Sequence, residues 1–80
     1  MINIYIATFH SHYGAIKYCK SLKQKKIKSK TMPVPRFVSS SCGTCVIYES
    51  EEYIVLEKCE IDSIYLKNNE EFELVYKSKD

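Results

Sequence analysis

The chain predicts an α+β domain, a ferredoxin-like β-α-β-β-α-β sandwich, on three observations. Residues 2–9 alternate Ile2, Ile4 and Ile6 with Asn3 and Tyr5, which is strand periodicity. Apolar residues then recur at Ala15, Ile16, Cys19 and Leu22, which is helical periodicity with lysines on the far face. Further β-rich runs follow, the last two separated by Asn68-Asn-Glu-Glu71 as in a hairpin. Two helices on one face of an antiparallel sheet, with an extra C-terminal strand, is the simplest packing of that order.

Each element has its own warrant. The first strand is β-branched and aromatic throughout and belongs at the sheet's centre. Ser11 or His12 suits the cap of the helix that follows, Tyr13 to about Lys26. Lys28 to Val34 is a short second strand, cut off by Pro33 and Pro35, and Arg36–Gly43 is a loop. Thr44 to Glu49 is a third strand. Ser50-Glu-Glu-Tyr53 reads as a helix start, a serine cap with acids at the positive dipole end. Ile54, Leu56 and Cys59 would form its buried face, although Tyr53–Leu56 also suits a strand. Ser63–Lys67 and Phe72–Lys77 complete the sheet.

Eighty residues bound the chain to a single domain, 1–80, with a small core. No stretch approaches the roughly twenty apolar residues that span a bilayer, so no membrane partner is expected. Met1-Ile-Asn-Ile-Tyr-Ile lacks a charged n-region and a small-residue cleavage site, which predicts a cytoplasmic protein. Its four cysteines are then expected to be reduced thiols. Residues 1–48 carry Lys17, Lys20, Lys23, Lys25, Lys26, Lys28, Lys30 and Arg36 but no acid, while every Asp and Glu lies in 49–80. That asymmetry suits either an anionic partner or a solvated basic helix. No GXXG loop or RNP-like strand is present, so nucleic acid is not an expected partner. Edge strands in so small a domain make a homodimer an open expectation.

Pro33-Val-Pro-Arg-Phe-Val-Ser-Ser-Ser-Cys42-Gly43 concentrates the chemistry. Two X-Pro steps hold its entry extended, and Gly43 would let the backbone fold closely around the sulfur of Cys42. A thiolate is the nucleophilic form of cysteine, and cations or amides lower its pKa. Arg36 is the candidate cation; Ser39, Ser40 and Ser41 supply hydroxyls and, with Gly43, a nest of amides. The alternative is a cysteine that fills space at a strand entry.

Cys42-Gly-Thr-Cys45 is also a CxxC, which admits a dithiol redox reading. Such motifs begin helices, whereas Cys45 is expected inside a strand. Cys19, Cys59, His10 and His12 lack paired ligand spacing, so neither a metal nor another cofactor is expected. Cys19 and Cys59 fall on apolar helix faces and suit the core. His10 and His12 sit where the first strand meets the first helix, as an acid/base pair or as capping and surface groups.

These motifs resemble a known family, the small bacterial and archaeal selenium/sulfur carrier protein-like proteins. The resemblance rests on Thr8-Phe9, the helix His12–Leu22 with Ala15, Met32-Pro-Val-Pro-Arg36 and Ser40-Ser41-Cys42-Gly43, and covers residues 2–67. It implies a carrier, rather than a turnover enzyme, that holds sulfur or selenium on Cys42 as a persulfide or selenopersulfide. A donor protein and an acceptor protein are the implied partners. Pro33, Pro35, Arg36, Ser41, Cys42 and Gly43 match the motif. Cys45 stands where the family tends to have a small apolar residue, and the chain beyond Lys67 is expected to lie past the family's usual end. A non-catalytic module that binds protein or nucleic acid, with Cys42 structural, is the alternative from another class.

Overall fold

The order of elements is β1 (Asn3–Phe9), α1 (His12–Gln24), β2 (Ser29–Pro33), β3 (Thr44–Ser50), a 3-10 turn (Glu57–Cys59), β4 (Ile61–Asn68) and β5 (Glu71–Lys77). A computed structural model describes residues 1–35 and 43–78. The strands form one sheet in the order β2-β3-β1-β4-β5, with every neighbouring pair antiparallel. β1 is central, as its apolar sequence predicts, and β2 and β5 are the edges. No helix among the described residues is long and apolar enough to cross a membrane.

Alternation divides the sheet into two faces. Tyr5 pairs with Tyr48 and Leu66, and Ala7 with Val46 and Ile64. With Phe9, these residues face α1 and make the core together with its Ala15, Tyr18, Cys19 and Leu22. Those helical positions are spaced i, i+3, i+4 and i+7, one stripe of an α-helix. Its lysines lie off that stripe, as the periodicity predicts.

Both ends of α1 are capped. Ser11 is the N-cap: its backbone is extended and its Oγ accepts the Gly14 N–H at 3.1 Å. The C-terminus closes with Lys26 in the left-handed region (φ 63°) and Ile27 N–H donating to Leu22 O at 2.9 Å. This is a Schellman arrangement with lysine where glycine is usual.

The expected second helix is absent from residues 50–60, so among the described residues the class is α+β with one helix and five antiparallel strands rather than a two-helix ferredoxin-like sandwich. Ser50 Oγ does accept the Glu52 N–H at 3.4 Å, which is the cap signal the sequence carries. The helix does not propagate, because both backbone groups of Ile54 are taken elsewhere. Tyr18 Oη donates to Ile54 O at 2.7 Å, and Ile54 N donates to Tyr48 Oη at 3.1 Å. Tyr53–Leu56 has no regular structure, and only Glu57–Cys59 turns, as a 3-10 helix.

The two clamping tyrosines are themselves core. Tyr18 is 0% and Tyr48 1% exposed, with ring centroids 5.7 Å apart, and Phe9 and Tyr5 extend the cluster at 5.1 and 5.5 Å. The turn then meets α1 at Gly14, where the Cys59 carbonyl occupies the space a side chain would need. Glycine is required at 14 by close approach, not by an unusual φ.

Two consequences are measurable. Gly14→Ala forces the helix off the turn and is expected to lower unfolding stability by about 1–3 kcal/mol in urea titration. Burial, and for Tyr18 its neighbour Tyr48, pushes both tyrosine hydroxyls above the ordinary value of 10.0. Above pH 10 the unfolded chain releases those protons while the folded chain holds them, so the stabilisation present below that pH is lost as pH rises. The slope is about 1.4 kcal/mol per pH unit for each tyrosine. Tyr18→Phe is expected to cost about 1–2 kcal/mol at neutral pH and to flatten the alkaline decline; an unchanged alkaline slope would show that Tyr18 is not the titrating group.

Candidate functional site

The segment singled out in the sequence leaves the sheet between β2 and β3. Pro33 pairs with Thr44 at the end of the ladder, and Val34 N–H donates to Gly43 O at 3.1 Å, which adds one rung beyond it. Both ends of the segment are thereby held side by side, forming a neck. Pro33 lacks an N–H and is tolerated because β2 is an edge strand. Pro35 keeps Val34 out of the helical region, so the exit stays extended.

The helix N-terminus reaches this neck because β1, which leads into α1, lies beside β3. His12 is the first residue of α1, and its Nδ1 lies 3.0 Å from Thr44 Oγ1. Thr44 is two residues from Cys42, and two chain steps span at most about 7 Å. The first turn of α1 contains no acidic residue, so its positive dipole end is not neutralised from within the helix. Ser11 accepts the Gly14 N–H and donates to Glu60 Oε2 at 2.6 Å, bringing one carboxylate to the cap.

His10 and His12 have separate placements. His10 is exposed and is tied through its backbone, N–H to Glu60 O at 2.9 Å, whereas His12 alone contacts Thr44. Glu60 accepts from both sides of this corner while itself left-handed, at φ 55°. Neither Thr44 nor Glu60 was a candidate in the sequence, since each reads there as an ordinary strand or connecting residue.

Gly43 departs from expectation. Its φ is not positive, and a methyl group there would meet nothing within 4 Å among the described residues. This geometry therefore places no steric demand for glycine at 43. Arg36, Ser39, Ser40, Ser41 and Cys42 lie outside the described residues.

The other three cysteines are buried. Cys19 is 5%, Cys45 0% and Cys59 3% exposed. Cys19 Sγ lies 3.7 Å from Ser29 Oγ, and Cys45 Sγ lies 3.8 Å from Pro33 O. Burial pushes the Cys59 thiol up from its ordinary value, with Lys17 acting the other way. Cys45 sits in β3, and alternation with Val46 and Tyr48 turns it to the sheet face away from α1. A dithiol motif at a helix start is not the arrangement around Cys45.

No curated protein and no solved structure matches the chain. A family model, described as "Putative Se/S carrier protein-like", matches residues 4–77. The match runs through β5, so the last strand is part of the family's extent and does not lie past it. Covering nearly the whole chain, it shows that the protein belongs to this selenium/sulfur carrier-like family.

Proposed function

We propose that the protein carries a single sulfur or selenium atom on Cys42. The observation that supports this reading most is the burial of Cys19, Cys45 and Cys59 within a carrier-like family. A thiol that must meet a donor protein and then an acceptor protein has to be reached by both, and three of the four are enclosed.

In the proposed cycle the Cys42 thiolate attacks the outer sulfur of a donor persulfide. A new S–S bond forms to Cys42 as the donor's S–S bond breaks, and the donor leaves as a thiolate. An acceptor thiolate attacks the carried atom in the same way and regenerates the Cys42 thiolate, so no external oxidant or reductant enters. With selenium, the same exchange starts from a selenopersulfide.

Arg36 would hold the charge on the thiolate and on the persulfide. Ser39, Ser40, Ser41 and Gly43 would add hydroxyl and amide donors around it. Pro33 and Pro35 would restrict the segment's freedom, so less conformational entropy is lost when a partner docks. The α1 N-terminus and His12, oriented by Thr44, lie at the base of the same segment and favour an anion there. His10 stands further off, as a surface donor. Reduced thiols of this kind belong in the cytoplasm. Specificity would come from docking with the donor and acceptor rather than from the atom carried.

Incubation with a cysteine desulfurase and cysteine tests the reading. Intact-mass spectrometry is expected to show one added sulfur, located on Cys42 by peptide mapping and lost in Cys42→Ser. A free, unmodified Cys42 under those conditions, or an adduct that persists in Cys42→Ser, overturns it. His12→Ala is expected to slow alkylation of Cys42 by iodoacetamide roughly tenfold at neutral pH and to move its pH midpoint upward, through loss of a group at the base of the segment that would favour the thiolate. An unchanged profile would remove His12 from the site.

A further inference from the structure

A basic groove of about 450 Å³ runs between α1 and the segment that enters the 3-10 turn. Lys17 of the helix, Lys25 at its C-cap and Lys58 of the turn line it, with Val55 and Leu56 as its apolar part. Ser21 and Gln24 follow Lys17 at i+4 and i+7, so the helical wall presents one charge and then two neutral polar groups over about 10 Å. Among the described side chains no carboxylate lines the groove. Apolar surface continues along the helix towards the neck, with Ile16 49% and Tyr13 68% exposed and Lys17 Nζ 6.0 Å from the Tyr13 ring.

We propose that this groove docks an acidic segment of a partner polypeptide. Its carboxylates would meet Lys17, Lys25 and Lys58, and an apolar side chain between them would rest on Val55 and Leu56. Charge complementarity selects the sign, and the carbon-lined part selects a polypeptide over a small anion. A phosphate or sulfate site needs enclosed donors, whereas these lysines rim an open surface. Single-stranded nucleic acid calls for aromatic stacking platforms, and no ring lines this groove. The groove would serve its partner whether or not Cys42 carries sulfur, so the two readings stand or fall separately.

The test uses the full chain under reducing conditions, isotopically labelled for amide NMR, and a synthetic peptide alternating glutamate with leucine. Shifts confined to Lys17, Ser21, Gln24, Leu56 and Lys58, with affinity that falls as salt rises, are expected. Lys17→Glu and Lys58→Glu should each weaken binding roughly tenfold with the spectrum otherwise native, and Lys67→Glu, outside the groove, should leave it unchanged. Cys42→Ser should bind as the native chain does. Absence of peptide binding, shifts that map elsewhere, or equal binding of a single-stranded RNA at the same residues overturns the proposal.

Discussion

The fold depends on how the chain crosses from β3 to β4. These strands run parallel with β1 between them, so the connection crosses a face of the sheet, and Ile54 against Tyr18 and Tyr48 puts it on the face that carries the core. A helix would satisfy the backbone of such a crossing internally. Here Tyr18 and Tyr48 do so at Ile54, one taking the carbonyl and the other the N–H. Leaving either group unpaired at a half-buried position would cost about 1–3 kcal/mol. The clamp therefore replaces a helix at its most costly point, and it ties the crossing to two of the largest core side chains.

The position of the neck follows from this clamp. With Ile54 held, the 3-10 turn settles against Gly14, and Glu60 is delivered to Ser11 and to the His10 N–H. Those contacts hold the start of α1, which carries His12 to Thr44. The base of the Pro33–Gly43 segment is consequently braced from the sheet by the Val34–Gly43 bond and from the helix by the imidazole. For the carrier proposed above, a braced base to the segment would reduce the ordering that accompanies each transfer.

Much of this was legible in the sequence where the signal is local. The alternation in residues 2–9, the spacing of Ala15, Cys19 and Leu22 and the Asn68–Glu71 turn each report on neighbours in the chain, and each element formed. Asn69 even adopts the left-handed φ, 58°, that suits its place in the turn. The second helix failed because its cap signal is local while its competitor is not: Tyr18 reaches Ile54 from 36 positions away. The His12–Thr44 contact spans 32 positions and has no local signature either. Among the candidate site residues, Pro33, Pro35, His12 and Gly43 fall at the neck, His10 beside it, and the special need for glycine at 43 is not seen. The segment around Cys42 stood out from its own residues, but resemblance was needed to favour a carrier over a structural cysteine, since a thiol's use depends on surroundings that spacing alone does not specify.

The missing helix and the basic groove have one cause. A helix in residues 50–60 would be about 10 Å across and would pack its side chains directly against α1. A clamped, irregular strip is thinner. It lets Gly14 touch backbone at one end but leaves α1 partly uncovered further along, where Lys17, Ser21 and Gln24 face Val55 and Leu56. The substitution of two tyrosine hydroxyls for a helical turn thus does two things at once. It braces the end of α1 that holds the neck, and it opens the flank of α1 that carries Lys17, Ser21 and Gln24. A protein of this size has little surface to divide, and this crossing places the neck and the groove along one helix.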